Sequence, residues 1–273
     1  MEPEHVDALS AYLNKYDYTA GLRKRDWAWE FLRRNKEFQT EAYPGFGTVL
    51  SSIPGLDGIT LLKMRFPQAA AEKWGLFFFP NPDVPAPGAN TFWQPEFDPD
   101  HLEIKVTARE PGEVDTIYQR SVRTCQVKHL TDLRGVEHIL LNGPTCTAQA
   151  RCSGKSLITL EPVKMALAMR GSFDLEGHVQ MHRRASIVFE PVPRRPLIWR
   201  GRANRLRNAL ICVDVKDAGF DLRHAAQIMF GEARIERDWS VSKSLRDRVR
   251  SYYRTGQRLR DGGYRNLLLK QAF

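Results

Sequence analysis

No CxxC pair occurs in this 273-residue chain, and its four cysteines, Cys125, Cys146, Cys152 and Cys212, are scattered. The series Cys125, His129, His138, Cys146 and Cys152 is the one candidate zinc set, and its gaps match none of the usual ligand pairs. Buried thiols in a reducing cytoplasm are the simpler reading. Also missing is any apolar run of the roughly 18–20 residues that a membrane span needs. The opening MEPEHVDALSAYLNKYDY has neither the basic nor the apolar region of a secretory signal. Catalytic signatures are lacking too: there is no GxSxG, no HExxH and no pair of acids in a recognisable frame. GKS at 154–156 invites comparison with a phosphate-binding loop, but Gln149 stands where the loop needs its first glycine. His178 and His182 lie one helical turn apart with no third ligand at a recognisable spacing. The expectation is a soluble cytoplasmic protein with no metal, no cofactor and no catalytic residue.

What is present is an uneven charge. Residues 1–193 hold 22 Lys and Arg against 24 Asp and Glu, a balance of −2. Residues 194–273 hold 19 against 8, a balance of +11. The last part of the chain therefore carries all of the excess, which suggests a polyanion partner, nucleic acid being the usual case.

Prolines punctuate the chain. PNPDVPAPGANTFWQPEFDPD (80–100) contains six of them and is excluded from a helix or a central strand, and EPVPRRP (190–196) is a second stiff break. The expected fold is α+β, in the order of a helical domain over 1–79, a proline-rich linker over 80–100, a β meander plus a helix over 101–190, and a basic helix-turn-helix domain over 197–273. In the first, Asp26 is the expected N-cap of one helix running through WAWEFLRRNKEFQTEAY to Pro44. Trp27, Phe31, Phe38 and Ala42 fall on one face, while Trp29 and Leu32 point elsewhere, so the helix packs on two sides. In the middle, short alternating runs at 121–129, 137–141, 145–151 and 157–160 read as an antiparallel meander. DLEGHVQMHRRASIVFE then returns to helical spacing.

Three helices are legible in the basic segment. The first, over 201–213, aligns Leu206, Ala209, Leu210 and Val213. The second, DLRHAAQIMFG, has Asp221 as N-cap, Gly231 as the residue after its end, and an apolar stripe of Leu222, Ala225, Ala226, Met229 and Phe230. In the third, Leu245, Val249, Tyr252, Gly256 and Leu259 form a seam. Lys243, Arg246, Arg250, Arg254, Gln257 and Arg258 gather opposite it, with Asp247 the one acid among them. This is the pattern of a helix-turn-helix, except that GEARIERDWSVS is longer than the usual turn of three or four residues. Ser240, Ser242 and Ser244 are alternative caps for the third helix. Three roles stay open for that helix: reading DNA, anchoring phosphate, or binding a protein as a solvated face.

The stretch AAQIMFG…W…SLRDRVRSYYRTGQRLRDGGYRNLL resembles the C-terminal domain of regulators carried by proteobacterial integrative and conjugative elements. DWAWEFLRRN, preceded by YDY, resembles the regulator-like domain at the N-terminus of the same proteins. Order and length are similar to the fused two-domain excision activators of the FseA type. The resemblance implies a transcriptional activator of an excisionase promoter, open to inhibition by a small antiactivator with a related C-terminal domain. It places the DNA-binding segment at 223–227 and 243–258.

On this reading Arg246, Arg250 and Arg254 face the groove of double-stranded DNA, with guanine the natural bidentate target. Lys243 and Ser244 open the same helix, Arg223, His224 and Gln227 lie nearer the backbone, and Arg258 and Arg260 are outer phosphate contacts. The rest of the chain would meet RNA polymerase, another regulator or a second copy. The competing class is a protein-interaction module, antiactivator-like, whose helix-turn-helix grips another regulator; RNA binding lacks an aromatic-studded strand motif.

Overall fold

Asn35 and Lys36 sit in the middle of what reads as one helix, yet the chain divides there. In the computed structural model one compact unit comprises Met1–Asn35 with Arg195–Leu267, and the other comprises Lys36–Arg194 with Leu268–Phe273. The residues described are 11–46, 50–54, 59–98, 101–113, 125–143, 147–159, 161–168, 179, 199 and 201–269. Cys146, His178, His182 and all but Val179 of the helix expected over 174–190 lie outside them. None of the helices among the described residues is long and apolar enough to cross a membrane.

The first unit begins with a 3-10 turn, Asp17–Gly21, and helix α1, Lys24–Leu32. The N-cap of α1 is Arg23 rather than the expected Asp26, whose carboxylate accepts the Arg23 N–H from three residues further on (3.0 Å). Every residue from Arg25 to Leu32 is buried. That explains why its aromatic residues do not keep to one face. Helix α2, Lys36–Gly45, belongs to the other unit and carries Pro44 within it rather than ending before it.

The unit continues after a gap of more than 150 residues of chain with α4, Gly201–Asp217, α5, Leu222–Phe230, α6, Glu232–Asp238, α7, Lys243–Arg258, and α8, Arg265–Leu269, of which Arg265–Leu267 lie within it. A polar lock joins α1 to α4. The Arg34 guanidinium clasps Asp214 with both ends, Nε to Oδ1 at 2.6 Å and Nη2 to Oδ2 at 2.9 Å. The Tyr16 hydroxyl donates to the same carboxylate at 2.7 Å. Glu30, fully buried, accepts from Arg33 and Arg34. Trp199 donates to Thr19 (3.1 Å) while Arg207 lies 4.3 Å over its ring. Asn35 donates to the backbone carbonyl of Arg260.

The second unit is a seven-stranded sheet in the order β1-β2-β4-β5-β6-β3-β7. Its strands are β1 Leu50–Pro54, β2 Ile59–Met64, β3 Leu102–Ala108, β4 Gln126–Thr131, β5 Glu137–Asn142, β6 Thr147–Gly154 and β7 Val163–Leu167. A short helix α3, Ala69–Glu72, follows β2. Strands β4, β5 and β6 pair antiparallel in succession, as three of the four expected meander runs require. The meander is only the centre of a mixed sheet, because β2 joins β4 and β3 joins β6 in parallel. Two strands thus come from within the first 79 residues, expected to be helical. Residues 157–159 of the fourth run form no strand: Leu157 gives its N–H to the Glu137 carboxylate (2.7 Å).

The proline-rich stretch, expected as a linker, is packed. Phe92 lies in an apolar cluster with Leu62, Met64, Phe78, Leu130 and Leu140 on one sheet face. The Gln149 side chain accepts from Trp93 N–H (2.9 Å) and donates to its carbonyl (2.7 Å). Lys128 points its ammonium at the carbonyls of Gly88 and Ala89, and burial lowers its pKa to about 8.

The GKS turn has a structural role. Gly154 has φ +99°, and a Cβ there would sit 2.3 Å from the carbonyl of Val106 on β3. Ser156 donates to Glu137. Burial alone would raise that carboxyl, but the His129 imidazole 3.4 Å away and hydrogen bonds from Ser156 and Leu157 hold it down to about 2. His129 faces Ile139 across the β4–β5 ladder and His138 faces Leu130, so the two imidazoles project from opposite faces of the sheet. Among the described residues no three His, Cys, Asp or Glu side chains gather into a metal-binding group.

The lock has a testable cost. Burial tends to raise the Asp214 carboxyl, but Arg34 and Tyr16 hold it below its ordinary 3.8. A carboxyl lowered on folding contributes stability above its unfolded pKa, and that contribution disappears as the pH falls through the folded value. Asp214→Asn should therefore lower stability at pH 7 by about 2 kcal/mol, between the values for exposed and fully buried pairs. Denaturation curves at falling pH should show the gap from wild type closing below pH 3.8.

Candidate nucleic-acid interface

Local signals shape the helices of this site. The Asp221 carboxylate caps α5 by accepting the His224 N–H (2.8 Å), and Gly231, at φ +86°, ends it. The long connection that follows is itself structured. It contains α6, whose Ile235 is fully buried, so that only Trp239–Ser242 separate α6 from α7. The connection between α6 and α7 is thus four residues long, the length of the turn in a helix-turn-helix. Ser242 is the cap among the three candidate serines, its hydroxyl accepting the Leu245 N–H (3.3 Å).

Helix α7 packs on α4 through the expected seam. Leu245, Val249 and Gly256 are buried, while Tyr252 is only half-buried. Gly256 is the contact point: a Cβ there would lie 2.6 Å from the Val213 side chain and 2.7 Å from the Ala209 carbonyl oxygen. Beside this crossing Cys212 is buried, and burial pushes its thiol up to about 12. On α5 the packed residues are Ala225, Ala226 and Ile228; Met229 and Phe230, expected in the stripe, are half-buried. The end of α7 leads through Gly262 and Gly263 to Tyr264 and Leu267, both buried, so the chain folds back onto the unit there.

The candidate residues divide into free and committed ones. Lys243, Ser244, Arg250, Arg254 and Arg258 are exposed on α7, and Arg223 is exposed on the first turn of α5. At about 100° per residue, Lys243, Arg250, Arg254 and Arg258 share an arc of roughly 80°, opposite the buried seam. Asp247 lies within that arc and pairs with Arg250 (3.3 Å). His224 and Gln227 are half-buried, and the His224 ring stacks on Phe220 with centroids 4.7 Å apart.

Two arginines expected to meet DNA are engaged elsewhere. The Nη1 of Arg246 donates to the carbonyls of Trp239 (2.5 Å) and Ser240 (2.6 Å), clamping the turn. Arg260 pairs with Asp217 (3.1 Å) and Asp261 (2.9 Å), and little of its side chain is exposed. Helical spacing places a side chain on a face but says nothing of carbonyls that a turn brings beside it. Arg248, which helical spacing sets beside the seam and so against the core, is exposed, and Val241 projects from the turn.

Residues 166–269 match the family model described as "T6SS, Transcription factor, DNA binding domain". The chain carries a transcription-factor DNA-binding domain. Residues 13–44 match a second model, described as "Proteobacterial transcriptional regulator-like domain". The two matches meet in the first compact unit, which draws on both ends of the chain. No curated protein matches the chain.

The split between free and committed arginines predicts two kinds of variant. Arg254→Ala removes an exposed cation and should reduce the slope of log affinity against log salt by about 1. Arg246→Ala should cost about 1–3 kcal/mol of stability by orphaning two carbonyls. Its salt slope should match wild type; a loss of about 1 in that slope would return Arg246 to the DNA contacts.

Proposed function

We propose that the protein is a sequence-specific transcriptional activator, acting in the cytoplasm, with α7 as the helix that enters the major groove. The observation that carries this reading is the exposed arc of Lys243, Arg250, Arg254 and Arg258 on a packed helix that follows a four-residue turn. Arg250 is the base reader for guanine O6 and N7, and Asp247 orients it. Arg223, with His224 and Gln227 beside it, serves the DNA backbone from α5, and Ser244 and Arg258 serve it from α7. The resemblance to excision activators points to an excisionase promoter on an integrative and conjugative element as the target. RNA polymerase, and a small antiactivator with a related C-terminal domain, are the corresponding protein partners.

Salt dependence and footprinting test this reading together. If Arg223, Lys243, Arg254 and Arg258 each neutralise one phosphate while Arg250 reads a base, log affinity should fall with log salt at a slope of roughly −3.6. Footprinting of the full chain on its own genomic neighbourhood should protect a discrete promoter site. A flat salt response with no protected site would leave the domain as a module that binds another regulator.

A further inference from the structure

Val241 is 79% exposed, more than any other large apolar side chain among the described residues. It stands in the turn before α7, one residue ahead of the Ser242 cap. The backbone on both sides of Val241 is held by hydrogen bonds. Trp239 N–H donates to Ile235 (3.0 Å), Ser242 N–H donates to Asp238 (2.8 Å), and Arg246 binds the two carbonyls between. The side chain is therefore presented to water by a turn that is itself fixed. Valine is β-branched and stiff at χ1, so ordering it in a contact costs little entropy.

Its surroundings limit what it can meet. Its exposed neighbours along the chain are Ser240, Lys243 and Ser244, so Val241 is an apolar side chain in a polar, basic stretch of the turn. Protein-binding surfaces present contiguous apolar area. The major groove offers a smaller apolar target, the C5-methyl group of thymine, and recognition helices meet base edges with their N-terminal residues. We infer that Val241 is a specificity-determining residue that packs on a thymine methyl in the major groove beside the N-terminal end of α7. This rests on the DNA-reading function proposed above and adds to it an apolar contact from the turn.

The test uses the full chain and its footprinted site, with each thymine replaced in turn by deoxyuridine, which lacks only the methyl group. One replacement should weaken wild-type binding roughly fourfold, the effect of one buried methyl group. Val241→Ser should bind the unmodified site weaker by a similar factor, show no further loss at that replacement, and keep the wild-type salt slope. The inference is overturned if wild type tolerates every replacement, or if Val241→Ser still loses affinity at the same thymine. If wild type shows no preference for the site over random DNA, the DNA-reading function falls and this contact falls with it. Preference for the site without methyl sensitivity removes the contact alone.

Discussion

The carboxylate of Asp214 joins parts of the chain that lie 180 residues and more apart. It takes both ends of the Arg34 guanidinium and the Tyr16 hydroxyl, and so ties the segment around α1 to the middle of α4. Burial, and then the neighbouring carboxylate charge, push the Tyr16 phenol far above its ordinary value, so it stays a donor. Arg34 also reaches Glu30, which leaves the two arginines and two acids of this cluster balanced. Such groups are expensive to separate once dehydrated, because each would be left as an unpaired charge. Residues 13–35 of the regulator-like segment are thereby part of the same compact unit as α4 to α7.

On the other side of α4, the position of α7 depends on one missing side chain. At Gly256 the backbone of α7 comes so close to Ala209 and Val213 that a methyl group has no room. At the other end of α7, Arg246 and Ser242 fix the turn. Held at both ends, the helix turns its remaining cations outward from a fixed backbone. Their long side chains still carry an ordering cost of about 0.5–1.5 kcal/mol each on binding a partner.

The sheet unit follows a different logic. Its prolines keep 80–98 out of the strands, and the same stretch supplies Phe92 and Trp93 to cover a sheet face. Gln149 reads the Trp93 backbone much as a neighbouring strand would, satisfying polar groups that would otherwise be buried unpaired. The two histidines of the zinc candidate each face a carboxylate, His138 at Asp132 (3.1 Å) and His129 at Glu137 (3.4 Å).

Much of the DNA-binding unit was legible in the sequence because its signals are local. Asp221, Gly231 and Ser242 act within one turn of themselves, and the Leu245–Val249–Gly256 seam is a matter of period. Strands β5 and β6 were legible for the same reason, through alternation. Parallel pairing of β2 with β4 and of β3 with β6 was not, since it joins strands separated by long stretches of chain and leaves no local pattern. Charge and period by themselves determined that a basic helix face exists here, opposite a buried seam. Only the tertiary structure decided which of its arginines are free, because a guanidinium takes whatever carbonyl or carboxylate folding brings within reach. For Arg246 and Arg260 these were Trp239, Ser240 and Asp217; Arg254 and Arg258 were left in water.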